Sequence, residues 1–170
     1  MTTVTQPLRD EHKESLPQMQ ILQRAADSVG EEPTDTVRRN VDEAYEFLAH
    51  HLIPHAQAEE KALYPVVERV MGAPEATGTM RRDHVEVGRL TAELGKLREN
   101  LSGSTADASG ANRLRAVLYG LSALVKLHFA KEEEVYLPLL DKRLSQAEAT
   151  EMFEAMEAAA AGAKAANTAA

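Results

Sequence analysis

Apolar residues recur at three- and four-residue steps along most of the chain, the period of one face of an α-helix. From Pro7 to about Val29 that face carries Leu8, His12, Leu16, Met19 and the stretch Leu22 to Ala26, and Gly30 stops it. A second, unusually long helix is predicted from a cap at Thr34 or Thr36 to Gly72, with Val41, Ala44, Tyr45, Leu48, Leu52, His55, Glu59, Leu63 and Val67 along one side. A third runs from about Glu75 to Leu101 with Met80, His84, Val87, Leu90, Leu94 and Leu97 on its face. Ser102 to Gly110 lacks periodicity and has the composition of a surface loop. The fourth helix takes Leu114, Leu118, Leu121, Val125, His128, Glu132 and Tyr136, and ends between Asp141 and Leu144. Ser145 and Glu148 form a capping box for a shorter fifth helix reaching about Met156, whose Met152, Phe153 and Met156 are expected to cover the bundle. Past Gly162 the Ala-rich tail is expected to fray.

These elements predict an all-α fold. A short arm (1–6) leads into an up-down-up-down four-helix bundle (7–142), followed by the extra helix (143–161) and the tail (162–170). Pro17, Pro54, Pro65 and Pro138 fall inside helical patterns, so kinks are expected there, or helix ends after Tyr64 and Leu137.

Composition narrows the chemistry. Apolar residues make up 44% of the chain but aromatics only 4%, with no Trp, so the core is built from Leu, Val, Ala and Met. A net charge of -8 with scattered Lys and Arg excludes a phosphate-neutralising patch, and hence nucleic acid. With no Cys, any metal is held by nitrogen and oxygen. The first residues lack the apolar core of a secretory signal, and no apolar run is long enough to span a bilayer. A cytoplasmic protein, a monomer or a weak homodimer, is the expectation.

The chain repeats itself. Arg9-Asp10-Glu11-His12 is echoed by Arg81-Arg82-Asp83-His84. His55-x-x-x-Glu59-Glu60 before Leu63-Tyr64-Pro65 is echoed by His128-x-x-x-Glu132-Glu133 before Tyr136-Leu137-Pro138. Two helical hairpins related by a pseudo-twofold axis follow. Residues four apart share a helix face, so His55 with Glu59, and His128 with Glu132, each aim a nitrogen and an oxygen at one point. His12 and His84 complete the set from the other helices. Either motif alone would be an ordinary helix pair. Together, six buried polar groups with no cation would each cost about 1–3 kcal/mol. Six convergent donors suit two metal ions, with Glu59 and Glu132 placed to bridge them. Mixed His/Glu ligation admits iron, zinc or manganese. None of the histidines has a Glu three residues before it, which separates this set from ferritin-type di-iron bundles.

The segment His51-Leu-Ile-Pro-His55-Ala-Gln-Ala-Glu59-Glu60-Lys-Ala-Leu-Tyr64-Pro65, its second copy around His128 and the acid-His pairs before His12 and His84 resemble the hemerythrin family, specifically HHE cation-binding domains, over about residues 7 to 142. The resemblance implies a non-haem site of two iron ions bridged by carboxylates and an oxo or hydroxo group, with His12, His55, Glu59, His84, His128 and Glu132 as ligands. The implied partner is a small molecule: O2, peroxide or nitric oxide. Two departures point from reversible O2 carriage toward reactive chemistry of a catalase or peroxidase kind. Met80 and Gly88 stand one turn either side of His84, where hemerythrins proper have a second His, and Glu occupies both the fourth and fifth positions after His128. An O2-binding or sensing module and a zinc-bearing structural bundle are the alternatives. His51, one turn before His55, is either a seventh ligand or an outward-facing side chain. Glu60 and Glu133 are read as supporting or solvated acids, and Tyr45, Tyr64 and Tyr136 as packing or hydrogen-bonding residues.

Overall fold

A computed structural model describes residues 3–101 and 108–168. They form helices joined by short turns, with no strand among the described residues. Helix α1 spans Gln6–Ser28, and Gly30, at φ 85°, turns the chain. Helix α2 (34–71) is one continuous rod built from Thr34–Phe47, Ile53–Ala58 and Tyr64–Met71, and Gly72, at φ 65°, ends it. Helix α3 spans Gly78–Asn100, α4 covers 108–143, and α5 spans Gln146–Thr168. Most of the expected loop, 102–107, lies outside the described residues, while 108–110 form the first turn of α4.

The prolines neither end α2 nor end α4. Three π-helical turns, Leu48–Leu52, Glu59–Leu63 and Glu132–Tyr136, precede Pro54, Pro65 and Pro138. In each, the amide just before the proline donates to the carbonyl five residues back: Ile53 to Leu48, Tyr64 to Glu59, Leu137 to Glu132. The wider turn makes room for the ring, and each proline then stands in the first turn of a new α segment, where no N–H is missed. Pro17 lies inside α1, which continues through it. Helix α3 begins later than expected, because residues 74–77 form a turn in which the Thr77 hydroxyl bonds Glu68 instead of capping the helix.

Helix α1 lies along α2 and α4, and α3 along α4 and α2. The helix pair α2/α3 approaches closely at Gly95, where a Cβ would stand 3.1 Å from the Tyr45 ring. Apolar side chains gather in two clusters. One, with Leu22, Val41, Leu48, Leu94, Leu118 and Leu121, fills one end of the bundle. The other, with Leu8, Leu63, Tyr64, Met80, Leu137 and Leu140, fills the other end and receives Met152 and Met156 of α5. Helix α5 lies across residues 53–63 of α2. It is also longer than the sequence suggested: it runs to Thr168, and Ala163 is buried, so the Ala-rich stretch described is helix. Alanine has the highest helix propensity, which offsets the lack of bulky side chains. No helix among the described residues is long and apolar enough to cross a membrane.

Candidate metal centre

Between the two apolar clusters sit the buried polar side chains. His12 comes from α1, His55 and Glu59 from α2, His84 from α3, and His128 and Glu132 from α4. Each glutamate opens a π turn. Glu59 and Glu132 are both 0% exposed, the strongest burial of charge in the molecule among the described residues.

Glu59 reaches both rings of two imidazole pairs, and Glu132 one ring of each. Glu59 Oε1 lies 2.9 Å from His55 Nε2 and 4.0 Å from His12 Nε2, while its Oε2 lies 3.2 Å from His84 Nε2 and 3.8 Å from His128 Nε2. Glu132 places Oε2 3.4 Å from His12 Nε2 and Oε1 3.4 Å from His128 Nε2. Short as these separations are, His12 Nε2, His55 Nε2, both oxygens of Glu59 and Oε2 of Glu132 are shut off from solvent without a hydrogen-bond partner. Buried donors and acceptors are nearly always paired, so lone pairs converging in this way have the chemistry of a cation's donor set. Two triads, His12/His55/Glu59 and Glu59/His84/His128, bring their donor atoms within 4.8 Å of one another. The residues therefore fit a metal.

A carboxylate grips the outer nitrogen of every one of these imidazoles. His12 Nδ1 is 2.8 Å from Glu133, His84 Nδ1 is 3.0 Å from Glu60, His128 Nδ1 is 3.1 Å from Asp83, and His55 Nδ1 is 3.3 Å from Glu11. Such contacts fix the ring and turn Nε2 inward. Each gripping acid adjoins a residue of the cluster: Glu11 precedes His12, Asp83 precedes His84, Glu60 follows Glu59 and Glu133 follows Glu132. Arg9 in turn bonds Glu133, and Lys131 bonds Asp83.

Electrostatics follow from this geometry. Burial works to raise the Glu59 carboxyl, yet His55, with His12 and His128, outweighs it and holds the group well below the usual carboxylate range. Burial likewise opposes charge on His55, but Glu59 and Glu11 raise it well above the ordinary imidazole value. Tyr64 projects its hydroxyl into the cluster, 3.1 Å from Glu132 Oε1, 3.2 Å from His84 Nε2 and 3.3 Å from His128 Nε2. Burial first, and then Glu59 and Glu132, push this phenol far above its ordinary value, so it keeps its proton and donates to Glu132.

All six residues expected at the site are thus brought together, and His51 is not. It is exposed, its ring 6.4 Å from that of Phe47. His51 and His55 would share a face of a regular α-helix, but the π turn Leu48–Leu52 winds in an extra residue and rotates His51 away. His50 also faces out, against Glu46. Met80, in place of a second histidine, is buried in the apolar core. Tyr64 hydrogen-bonds, as one of its two expected roles had it, while the acids Glu11 and Asp83 were not expected to hold the imidazoles. The signal was present in the duplicated acid-His pairs, but no role was attached to it.

An all-helical bundle that closes four imidazoles and two carboxylates around a common point defines a cation-binding protein with oxygen and nitrogen ligands. The chain belongs to the hemerythrin HHE cation binding domain family, whose profile matches residues 3–140. It is similar to proteins named iron-sulfur cluster repair protein YtfE from Yersinia pseudotuberculosis serotype IB (strain PB1/+) and Yersinia pestis (strain Pestoides F). Each is 28% identical over 120 residues, which cover 68% of this chain and 52% of the relative. The chain spans about half the length of these curated relatives. No solved structure matches it.

Proposed function

We propose that this chain is a non-haem di-iron protein that consumes small oxidants, hydrogen peroxide or nitric oxide, or O2, in a catalase- or peroxidase-like manner. One observation carries the reading: two fully buried carboxylates, each with one oxygen toward the His12/His55 pair and the other toward the His84/His128 pair. In this reading His12 and His55 would hold one ion and His84 and His128 the other, with Glu59 and Glu132 shared between them. The pattern of gripping acids supports the up-down-up-down arrangement of α1 to α4 and its pseudo-twofold repeat. His12 with Glu133 corresponds to His84 with Glu60, and His55 with Glu11 to His128 with Asp83.

Bound in this donor set, two iron ions would supply the one-electron change per metal that turnover of such oxidants requires. The chain's own side chains do the rest. The acids on Nδ1 hold each ring with Nε2 inward. Tyr64 Oη keeps a proton at the cluster and can offer it as a hydrogen bond to an oxygen of the substrate. Leu52, Val87, Val125 and Phe129 line the small apolar space beside His55, Glu59, His84 and His128 and exclude water. The iron-sulfur repair named for the Yersinia proteins supports iron as the metal.

Metal analysis, the optical spectrum and peroxide and nitric oxide assays test this together. Two irons per chain, near-ultraviolet absorption and turnover above that of free iron are expected; zinc in place of iron, or no such turnover, rejects the reading. His55→Ala and His128→Ala are expected to lose metal while His51→Ala keeps all of it. Two irons retained in both of the first variants would refute the ligand assignment.

A further inference from the structure

Helix α5 lies beyond the residues matched by the family profile, and it walls a cleft of about 500 Å³ against α1 and α2. His55 stands on the floor of this cleft. Its side chain is 18% exposed, against 4% for His12, 8% for His84 and 5% for His128. The difference has a sequence cause. His128 is gripped by Asp83, which Lys131 bonds three residues further along α4. The corresponding position three residues after His55 is Ala58, which carries no ammonium, and Glu11 is 54% exposed against 17% for Asp83. Directly behind His55 lies Glu59, 0% exposed, with both oxygens lacking a hydrogen-bond partner.

The cleft is negative. Glu11, Glu14 and Glu157 line it, against a single ammonium, Lys164. On the opposite side of α1 a separate pocket reaches His12, and its charge has the other sign, with Arg9, Lys13 and Lys126 around one acid, Glu133. Phe129 stacks on the His12 ring there at 4.2 Å. Fields of this kind raise the local concentration of the attracted ion and repel it from the other mouth.

We infer that the cleft between α1, α2 and α5 is the loading route of the centre, through which divalent cations are drawn by Glu11, Glu14 and Glu157 and handed to His55 and Glu59. This rests on the reading of the cluster as a metal centre. The basic pocket is closed to cations by its charge, and α5 makes the route a property of this chain and not of the matched bundle.

Anaerobic stopped-flow uptake of Fe(II) by the full, metal-free chain tests it. Glu14→Gln with Glu157→Gln changes two exposed residues outside the ligand set and is expected to slow loading about 3- to 10-fold at low salt. The gap should close in high salt, with the final iron content and the thermal unfolding unchanged. Ala161→Trp, narrowing the cleft, is expected to slow loading at both salt concentrations. Lys13→Gln with Lys126→Gln, which only lowers the positive charge of the other pocket, should not slow loading. Normal filling at wild-type rates in both cleft variants would overturn this route alone, as would loading slowed by the lysine changes. A chain that takes up no metal would overturn the metal-centre reading and the route with it.

Discussion

Burial alone would lower the His128 pKa, but Glu132 and Glu59 outweigh it and push it from 6.5 up to about 10. Without metal, this imidazolium stabilises the folded chain. Because the folded value lies above the unfolded one, the contribution is complete below pH 6.5 and is lost as the pH rises through about 10. A metal binds only neutral imidazole, so it must displace that proton. Titration calorimetry in buffers of different ionisation enthalpy is expected to show proton release at neutral pH, with affinity climbing toward pH 10. Binding without proton release would contradict this. The six central residues were legible as residues because their types and spacing are duplicated. His51 stayed open between ligand and outward-facing side chain, because a one-residue phase change in a helix leaves no mark in an apolar pattern that is still satisfied on both sides.

At the scale of the element, two of the π turns carry the acids of the site. Successive residues on an α-helix point about 100° apart. Within Glu59–Leu63 and Glu132–Tyr136 the first glutamate faces the centre while the second reaches a histidine on a neighbouring helix. The sequence showed the prolines that accompany these turns, and rules for proline in an α-helix suggested breaks. The long helices instead absorb the prolines by widening, a choice made by tertiary packing at the site. The start of α5 was readable outright. Ser145 Oγ and N both donate to Glu148 Oε2, at 2.8 and 2.9 Å, and Glu148 N donates back to Ser145 Oγ. Ser145→Ala is expected to cost about 0.5–2 kcal/mol, measured by denaturant unfolding. Since α5 walls the cleft, the same variant should show faster amide exchange along that helix. Its end was not readable, because alanine carries no face that marks where docking stops.

For the whole molecule, the interior is built around a polar layer that separates two apolar clusters. Helix count, order and the position of that layer followed from periodicity and repetition. The course of α5 across α2 did not, since its short apolar face fits more than one surface. A layer with unpaired buried atoms is a standing cost to the metal-free fold. Metal held only by the folded state therefore stabilises it, by about 2.7 kcal/mol when the free ion stands 100-fold above its Kd. Calorimetric scans with and without chelator are expected to show the loaded chain melting higher, and equal melting points would contradict the donor set.

The acids that grip the imidazoles add one thing more. His12 on the first helix leans on Glu133 of the fourth, and His84 on the third leans on Glu60 of the second. Neither the stretch before residue 102 nor the stretch after 107 owns all six of the converging side chains. In the proposed reading, two ions seated there would act as removable rivets through the four rods, joining stretches of polypeptide more than a hundred positions apart, and pulling them would loosen both halves at once.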